Sequence, residues 1–315
     1  MDVSQSAKTV LVTGCTPGGI GYESCKSFQL RGIVSALPIL INGPFLIECK
    51  GCTVIATARR PEVLQELAGS GMIVLPLDVT DSKSIAACKN QVEEITGGRL
   101  DILVNNAGVS HTIPAADIDM DDVRKTFETN VFGVMAMTQT FLDLLISAKG
   151  IVVNMSSLAS ITPYVYGSVF CATKGAINSY SRTLRQELRP FGVRVMVVMT
   201  GFVKTTSGTK VYRELPENSI YKVVEDAYLR KLRYSENTSK MSAQDFSAQL
   251  VERVLEDKSW FWPIFGQKND WIWLGGSASL ARWATWIGEW VLDTVLYRRF
   301  GLDVLERIVT QRQLK

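Results

Sequence analysis

Histidine is nearly missing from this sequence of 315 residues: His111 is the only one, and the six cysteines are spread between Cys15 and Cys171. A zinc site, which draws on clustered His and Cys ligands, has almost no candidates, and reduced thiols in a cytosol-facing protein are the expectation. Charge of one sign is missing too, since 34 Lys and Arg against 31 Asp and Glu leave a net +3. No basic run of the kind that neutralises a phosphate backbone is present, which argues against nucleic-acid binding. The N-terminal MDVSQSAKTVLVTG lacks the charged-then-apolar build of a secretory signal. Tryptophan is absent before Trp260 and then occurs seven times up to Trp290. No uncharged run there reaches the roughly 18 to 20 residues a spanning helix needs, because Arg282, Glu289 and Asp293 interrupt it.

What is there is an apolar share of 46%, laid out as alternating strand-like and helix-like segments, enough for one large α/β domain with an appendage. Residues 9–13 read as a buried strand, and Gly14-Cys-Thr-Pro-Gly18-Gly19-Ile20-Gly21 as a glycine turn opening a helix over 22–30. Such a turn lets a pyrophosphate approach the backbone and meet unpaired N–H groups at a helix N-terminus. Alone, it is equally an ordinary tight turn. A second strand, 53–58, runs into Arg59-Arg60. An acidic residue there would bind a ribose 2′-hydroxyl, whereas guanidinium groups suit a 2′-phosphate; the plain alternative is a solvated turn. Further strands are expected over 72–77, 101–104, 150–157, 193–198 and 260–264. Helices are expected over 62–67, 82–95, 121–146 and from Phe170 to about 189, with Ser242-Ala-Gln-Asp245 as the capping box of a helix ending at Leu255. Alternation of this kind predicts a doubly wound, mostly parallel sheet with its ligand at the carboxyl ends of the strands.

Together these motifs resemble the short-chain dehydrogenase/reductase family over about residues 9–262. The family writes TGxxxGxG at the first turn; this chain has one extra residue before Gly19-Ile20-Gly21, a variant associated with some fungal members. Asn105-Asn106-Ala107-Gly108 is close to the family's Asn-Asn-Ala-Gly, and Thr200-Gly201-Phe202-Val203-Lys204-Thr205 to its Pro-Gly-x-Val-x-Thr, with Thr for Pro. The resemblance implies a seven-stranded Rossmann sheet with helices on both faces and an NADP(H) cofactor. It places Gly14, Gly19, Ile20, Gly21, Arg59, Asp78 (facing the adenine), Asn106, Lys174, Val203 and Thr205 at the dinucleotide. Asn130, mid-helix and unfavourable there by propensity, would bend the helix and hold a water linked to the active-site Lys.

Measured against that pattern, one hydroxyl is missing. Ser156-Ser157 ends a strand, and Phe170 and Lys174 stand at i and i+4, on one helical face. The family has Tyr-x-x-x-Lys with a Ser about thirteen residues before the Tyr, and that count leads from Ser157 to Phe170. In the family the Tyr moves the proton, the Lys lowers its pKa and bonds the nicotinamide ribose, and the Ser polarises the carbonyl. Ser157, Lys174 and Asn130 are carried over as catalytic residues, while Phe170 has no proton to give. Tyr166, i−4 from Phe170, is expected on the same face one turn away. The resulting expectations are a reductase whose proton comes from Tyr166 or the substrate, or a catalytically impaired or non-redox cofactor-binding protein.

Residues 32–50 (GIVSALPILINGPFLIECK) interrupt the short connection the family has at this point, and structureless loops of that length are uncommon inside compact domains. Two readings are open: a functional hydrophobic insertion near the adenine or a membrane, or a translated retained intron of whole codons. The domain is expected over 1–265, with a tyrosine-bearing substrate lid at about 207–240, and a Trp-rich extension over 266–315. Tryptophan at this density suits an oil–water interface, or a helical pair packed on the substrate side or on a second subunit. A similar tail in fungal proteins like the 1-acyldihydroxyacetone-phosphate reductases implies a hydrophobic lipid-, polyketide- or terpenoid-like substrate in specialised metabolism. The expected location is cytoplasmic, or peripheral on the ER or lipid droplets; a homo-oligomer is expected by analogy alone.

Overall fold

A computed structural model describes residues 7–34, 51–205, 212–238, 240–256, 271–287 and 289–313. Short runs dominated by Val, Ile and Leu form seven strands: β1 Thr9–Val12, β2 Thr53–Ala58, β3 Ile73–Pro76, β4 Ile102–Asn105, β5 Ile151–Met155, β6 Arg194–Thr200 and β7 Trp271–Leu274. Neighbours pair in parallel in the order β3-β2-β1-β4-β5-β6-β7. The order reverses between β1 and β4, so the chain leaving their carboxyl ends leads to helices on opposite faces of the sheet, and a crevice opens at that point. The first half contributes helices α1 Ile20–Val34, α2 Gln65–Gly69 and α3 Ser82–Thr96. The second contributes α4 Met120–Phe127, α5 Gly133–Thr140, α6 Leu142–Ala148, α7 Ser168–Leu188, α8 Glu225–Thr238 and α9 Ala243–Leu255. Helices α10 Ala278–Ile287, α11 Glu289–Arg299 and α12 Leu302–Gln313 follow the last strand.

Period-two alternation sends successive strand residues to opposite faces. Val10, Val12 and Val104 pack with Phe28 of α1 and Phe246 and Leu250 of α9. Leu11, Ile55, Leu103 and Val152 pack with Val92 of α3, Phe141 and Leu184 of α7 on the other side. Both faces are covered, which is why the strands read as nearly unbroken apolar runs. Phe28, Phe141 and Phe246 are fully buried, and such a side chain contributes roughly 2–3 kcal/mol by leaving water.

The structure departs from the sequence expectations in two places, the last strand and the helix expected over 121–146. The segment expected as the last strand, 260–264, lies outside the described residues, and the seventh strand is Trp271–Leu274, so the sheet extends past residue 265 into the supposed extension. The helix expected over 121–146 is broken by a π-helical turn, Glu128–Phe132, and again at Phe141. Cys52, a free thiol, stands at CxxC spacing from Cys49, which lies outside the described residues, as do 35–50 of the inserted segment. The tail helices pack on the substrate side: Ala278 and Ala281 join Leu158 and Met199, and Phe300 joins Tyr166, Leu215 and Tyr228. Among the described residues no single helix is long and apolar enough to cross a membrane, and no group of His, Cys, Asp and Glu is placed to hold a metal.

Candidate active site

The glycine turn forms where two loops must touch. Gly14 has φ +69°, in the left-handed region, and a Cβ there would lie 2.6 Å from Ala107 Cα. A Cβ on Gly21 would run into Asn106 Nδ2. Glycine at both positions therefore lets the turn after β1 close on the turn after β4. Asn106 fastens the two, its Nδ2 donating to Thr13 O at 2.8 Å and Gly14 O at 3.1 Å, and its N–H to the Thr13 hydroxyl at 3.0 Å. Gly19 donates its N–H to Thr16 O (2.9 Å) and accepts from Glu23 (3.1 Å), starting α1 beneath the crevice. The result is a cradle of bare backbone at a helix N-terminus, fitted to a phosphate.

At the far rim Arg59 and Arg60 are exposed beyond β2. Asp78 follows β3; burial acts to raise its pKa, but the Thr80 N–H (2.9 Å) and hydroxyl (2.7 Å) and the Arg59 charge outweigh it, leaving the carboxyl below its ordinary value. Acid and base thus flank the outer end of the cradle.

The other half of the site depends on the π turn. Its extra residue lets Asn130 turn inward, a common device at functional positions. Asn130 Oδ1 accepts Val109 N–H at 2.8 Å, while Nδ2 donates to Val109 O at 2.9 Å and Thr173 Oγ1 at 3.2 Å. The side chain behaves as a strand neighbour for Val109 and reaches α7 one residue before Lys174. The Lys174 ammonium donates to Met155 O at 2.7 Å, and burial pulls its pKa down to about 8. Ser157 Oγ accepts Ala159 N–H at 3.2 Å, which leaves its own O–H to donate elsewhere. Beneath them a buried polar ladder, Asn105 Nδ2 to Asn154 Oδ1 (2.9 Å) and Asn154 Nδ2 to Ser181 Oγ (2.9 Å), ties β4, β5 and α7.

A cavity of about 510 Å³ collects Ile20, Asn106, Ser157, Lys174, Val203 and Thr205. The segment carrying Val203 and Thr205 is held by Gly201 N–H to Leu274 O (2.7 Å) and Lys204 N–H to Met241 O (2.9 Å). Gly14, Gly19, Gly21, Arg59, Asp78 and Asn130 are not among its lining residues. Phe170 also lines the cavity, its ring centroid 5.8 Å from Lys174 Nζ.

Tyr166 is not on the face of Phe170. Helix α7 begins only at Ser168, and Tyr166 precedes it with φ +64°. Its buried ring turns towards the tail, where the hydroxyl donates to Phe300 O at 3.1 Å. Helical spacing fails because the chain has not yet entered the helix. Two residues without a sequence signal enter the cavity wall instead. Tyr164 lies with its ring centroid 6.1 Å from that of Phe170 and its hydroxyl 3.5 Å from Thr112 Oγ1; burial raises its pKa. Lys231, from α8, places its ammonium 3.6 Å from the Tyr164 ring centroid.

A family model described as short chain dehydrogenase matches residues 46–216, a span that starts inside the inserted segment and so leaves out the glycine turn. The chain is 34% identical over 314 residues to the short-chain dehydrogenase fogD of Aspergillus ruber, covering 98% of this chain and 99% of that one. It is 39% identical over 222 residues, 69% of each chain, to an NADPH-dependent 1-acyldihydroxyacetone phosphate reductase of Schizosaccharomyces pombe. Among solved structures, a short-chain dehydrogenase from Streptomyces avermitilis superposes with a TM-score of 0.71 at 26% identity, over 96% of this chain and 98% of the other. With the sheet order, the glycine cradle and the Ser157–Lys174 wall, these likenesses establish that the chain belongs to the short-chain dehydrogenase family.

Proposed function

We propose that this chain is an NADP(H)-dependent oxidoreductase interconverting a carbonyl and an alcohol on a hydrophobic substrate of lipid or specialised metabolism. The observation that carries this is the cavity joining Ile20 of the glycine turn, Ser157 and Lys174 to an apolar wall from the tail. The cradle at Gly19–Gly21 fits a pyrophosphate, Arg59 a 2′-phosphate, and Asp78 the adenine side; Lys174, Val203 and Thr205 stand at the nicotinamide end. The NADPH dependence in the name of the Schizosaccharomyces relative supports the same choice. When bound, the dinucleotide supplies or accepts the hydride. The Ser157 hydroxyl donates to the carbonyl oxygen and polarises it, the Lys174 ammonium keeps positive charge beside it, the oxygen exchanges its proton with solvent because Phe170 has none to give, and Leu292 and Leu296 line the wall around the reacting carbon.

Phe170 favours a second reading, a dinucleotide-binding protein that performs no hydride transfer. Calorimetry should show NADPH binding in preference to NADH. NADPH oxidation against lipid and polyketide ketones should be slow in the natural protein and faster by about 10²–10⁴ in Phe170→Tyr, the usual worth of a placed general acid. If NADPH binds tightly but neither protein turns over any ketone, the second reading replaces the first.

A further inference from the structure

One nitrogen in the cavity wall is equipped for chemistry that hydride transfer does not use. Lys174 is 8% exposed and lines the cavity beside Ser157 and Phe170. Its Nζ donates to Met155 O at 2.7 Å, and Phe170 presents to it a bare ring, the centroid 5.8 Å away. Gly108 lines the same cavity, and a Cβ there would lie 3.9 Å from Nζ, so glycine leaves that approach to the nitrogen open. Tyr164, Lys231 and Arg299 are the other ionisable side chains of the described lining. None of them shifts the Lys174 pKa; burial alone lowers it, to about 8.

A lysine desolvated in an apolar pocket is a nucleophile near neutral pH, because more of it is unprotonated. At about pH 7 Lys174 holds on the order of 10² times more free amine than an exposed lysine. The neutral amine can still donate one N–H to Met155 O, and its lone pair then points away from that acceptor. We propose that Lys174, with no cofactor bound, attacks the carbonyl carbon of an apolar aldehyde and forms an imine, so that the cavity also performs carbonyl chemistry without hydride transfer. The inference rests on reading this cavity as the substrate chamber, with Leu292 and Leu296 against the alkyl chain. The C–N bond forms as the C=O π bond opens, while the Ser157 hydroxyl donates to the oxygen on which charge develops. The two protons that the nitrogen gives up pass through solvent to that oxygen, which leaves as water. C=N replaces C=O, nothing is oxidised or reduced, and no co-reactant is consumed.

The test uses the cofactor-free protein with decanal and cyanoborohydride, which reduces an imine to a stable secondary amine. Intact mass and peptide mapping then read where the decyl group sits. At about pH 7 Lys174 should be labelled about 10- to 100-fold faster than any exposed lysine. Its labelling rate should climb with pH and level off above about 8, whereas exposed lysines go on rising towards about 10. Lys174→Met should lose the fast label, with circular dichroism and the unfolding transition reporting an intact fold. Lys231 supplies the internal comparison, since its ammonium lies 3.6 Å from the Tyr164 ring centroid and 4.2 Å from that of Phe300, and the two rings cover it. A first label on Lys231 in place of Lys174, or a Lys174 labelled no faster than the exposed lysines, overturns the proposal. Fast labelling of Lys174 in a protein that never oxidises NADPH would retire the oxidoreductase reading and keep the imine. NADPH oxidation with Lys174 labelled at the ordinary rate would do the reverse.

Discussion

Lys174 illustrates at the scale of one residue how a site is held at the expense of stability. With its pKa depressed from lysine's ordinary value to about 8, the folded protein binds fewer protons than the unfolded chain between about pH 8 and 10. Stability therefore rises with pH across that window, and at neutral pH the buried ammonium costs on the order of 3 kcal/mol. Lys174→Met loses the bond to Met155 O, worth about 1 kcal/mol, so a net gain of about 2 kcal/mol is expected in denaturant titrations at neutral pH, together with loss of the alkaline rise and of any turnover. Ser157, Phe170 and Lys174 were legible because their spacing matches the family pattern that the chain resembles. Lys231 and Tyr164 were not: the first reaches the site through tertiary packing of a distant helix, and the second sits in a Tyr-x-Tyr stretch whose backbone leaves helical geometry.

At the scale of elements, β1 to β6 were legible to within a few residues because buried parallel strands are written as continuous apolar runs. β7 was missed because its four residues, WIWL, share the tryptophan-rich composition of the helices after it. The π turn was foreshadowed only by the resemblance, which implies a bend at Asn130, since an Asn inside an apolar helical pattern by itself signals only a poor helix former. Its energetic weight is readable from the structure. Asn130→Ala would strand the N–H and C=O of Val109, while the Thr173 hydroxyl keeps its bond to Phe170 O, and each unsatisfied buried group costs about 1–3 kcal/mol. The expected result is destabilisation by about 2–4 kcal/mol in thermal or urea unfolding, with a cavity less able to position substrate. A loss below about 0.5 kcal/mol would show that the bend is carried by its backbone alone.

For the whole molecule, the inserted segment 32–50 begins in the last residues of α1 and precedes β2, elements that the core already holds through Phe28 and Val54. Closing a long loop costs only about 0.6 kcal/mol per doubling of length. Joining Arg31 to Gly51 should therefore leave NADPH affinity unchanged and stability equal or higher by about 1–2 kcal/mol. Loss of NADPH binding in that shortened protein would establish the segment as functional. The substrate side is organised differently, through Tyr166. Its hydroxyl bonds Phe300 O at 3.1 Å, its carbonyl accepts Ile113 N–H at 2.6 Å, and its ring meets Tyr221 and Tyr228 edge to face. Loop, lid helix and tail are thereby joined at a single residue whose backbone is held in a left-handed conformation. Such a wall opens as one cooperative unit: the Ile113 amide would exchange with deuterium together with the amides of α11 and α12, ahead of the central strands. Substrate entry would then be governed by the free energy of that sub-global opening, a quantity separate from the stability of the sheet.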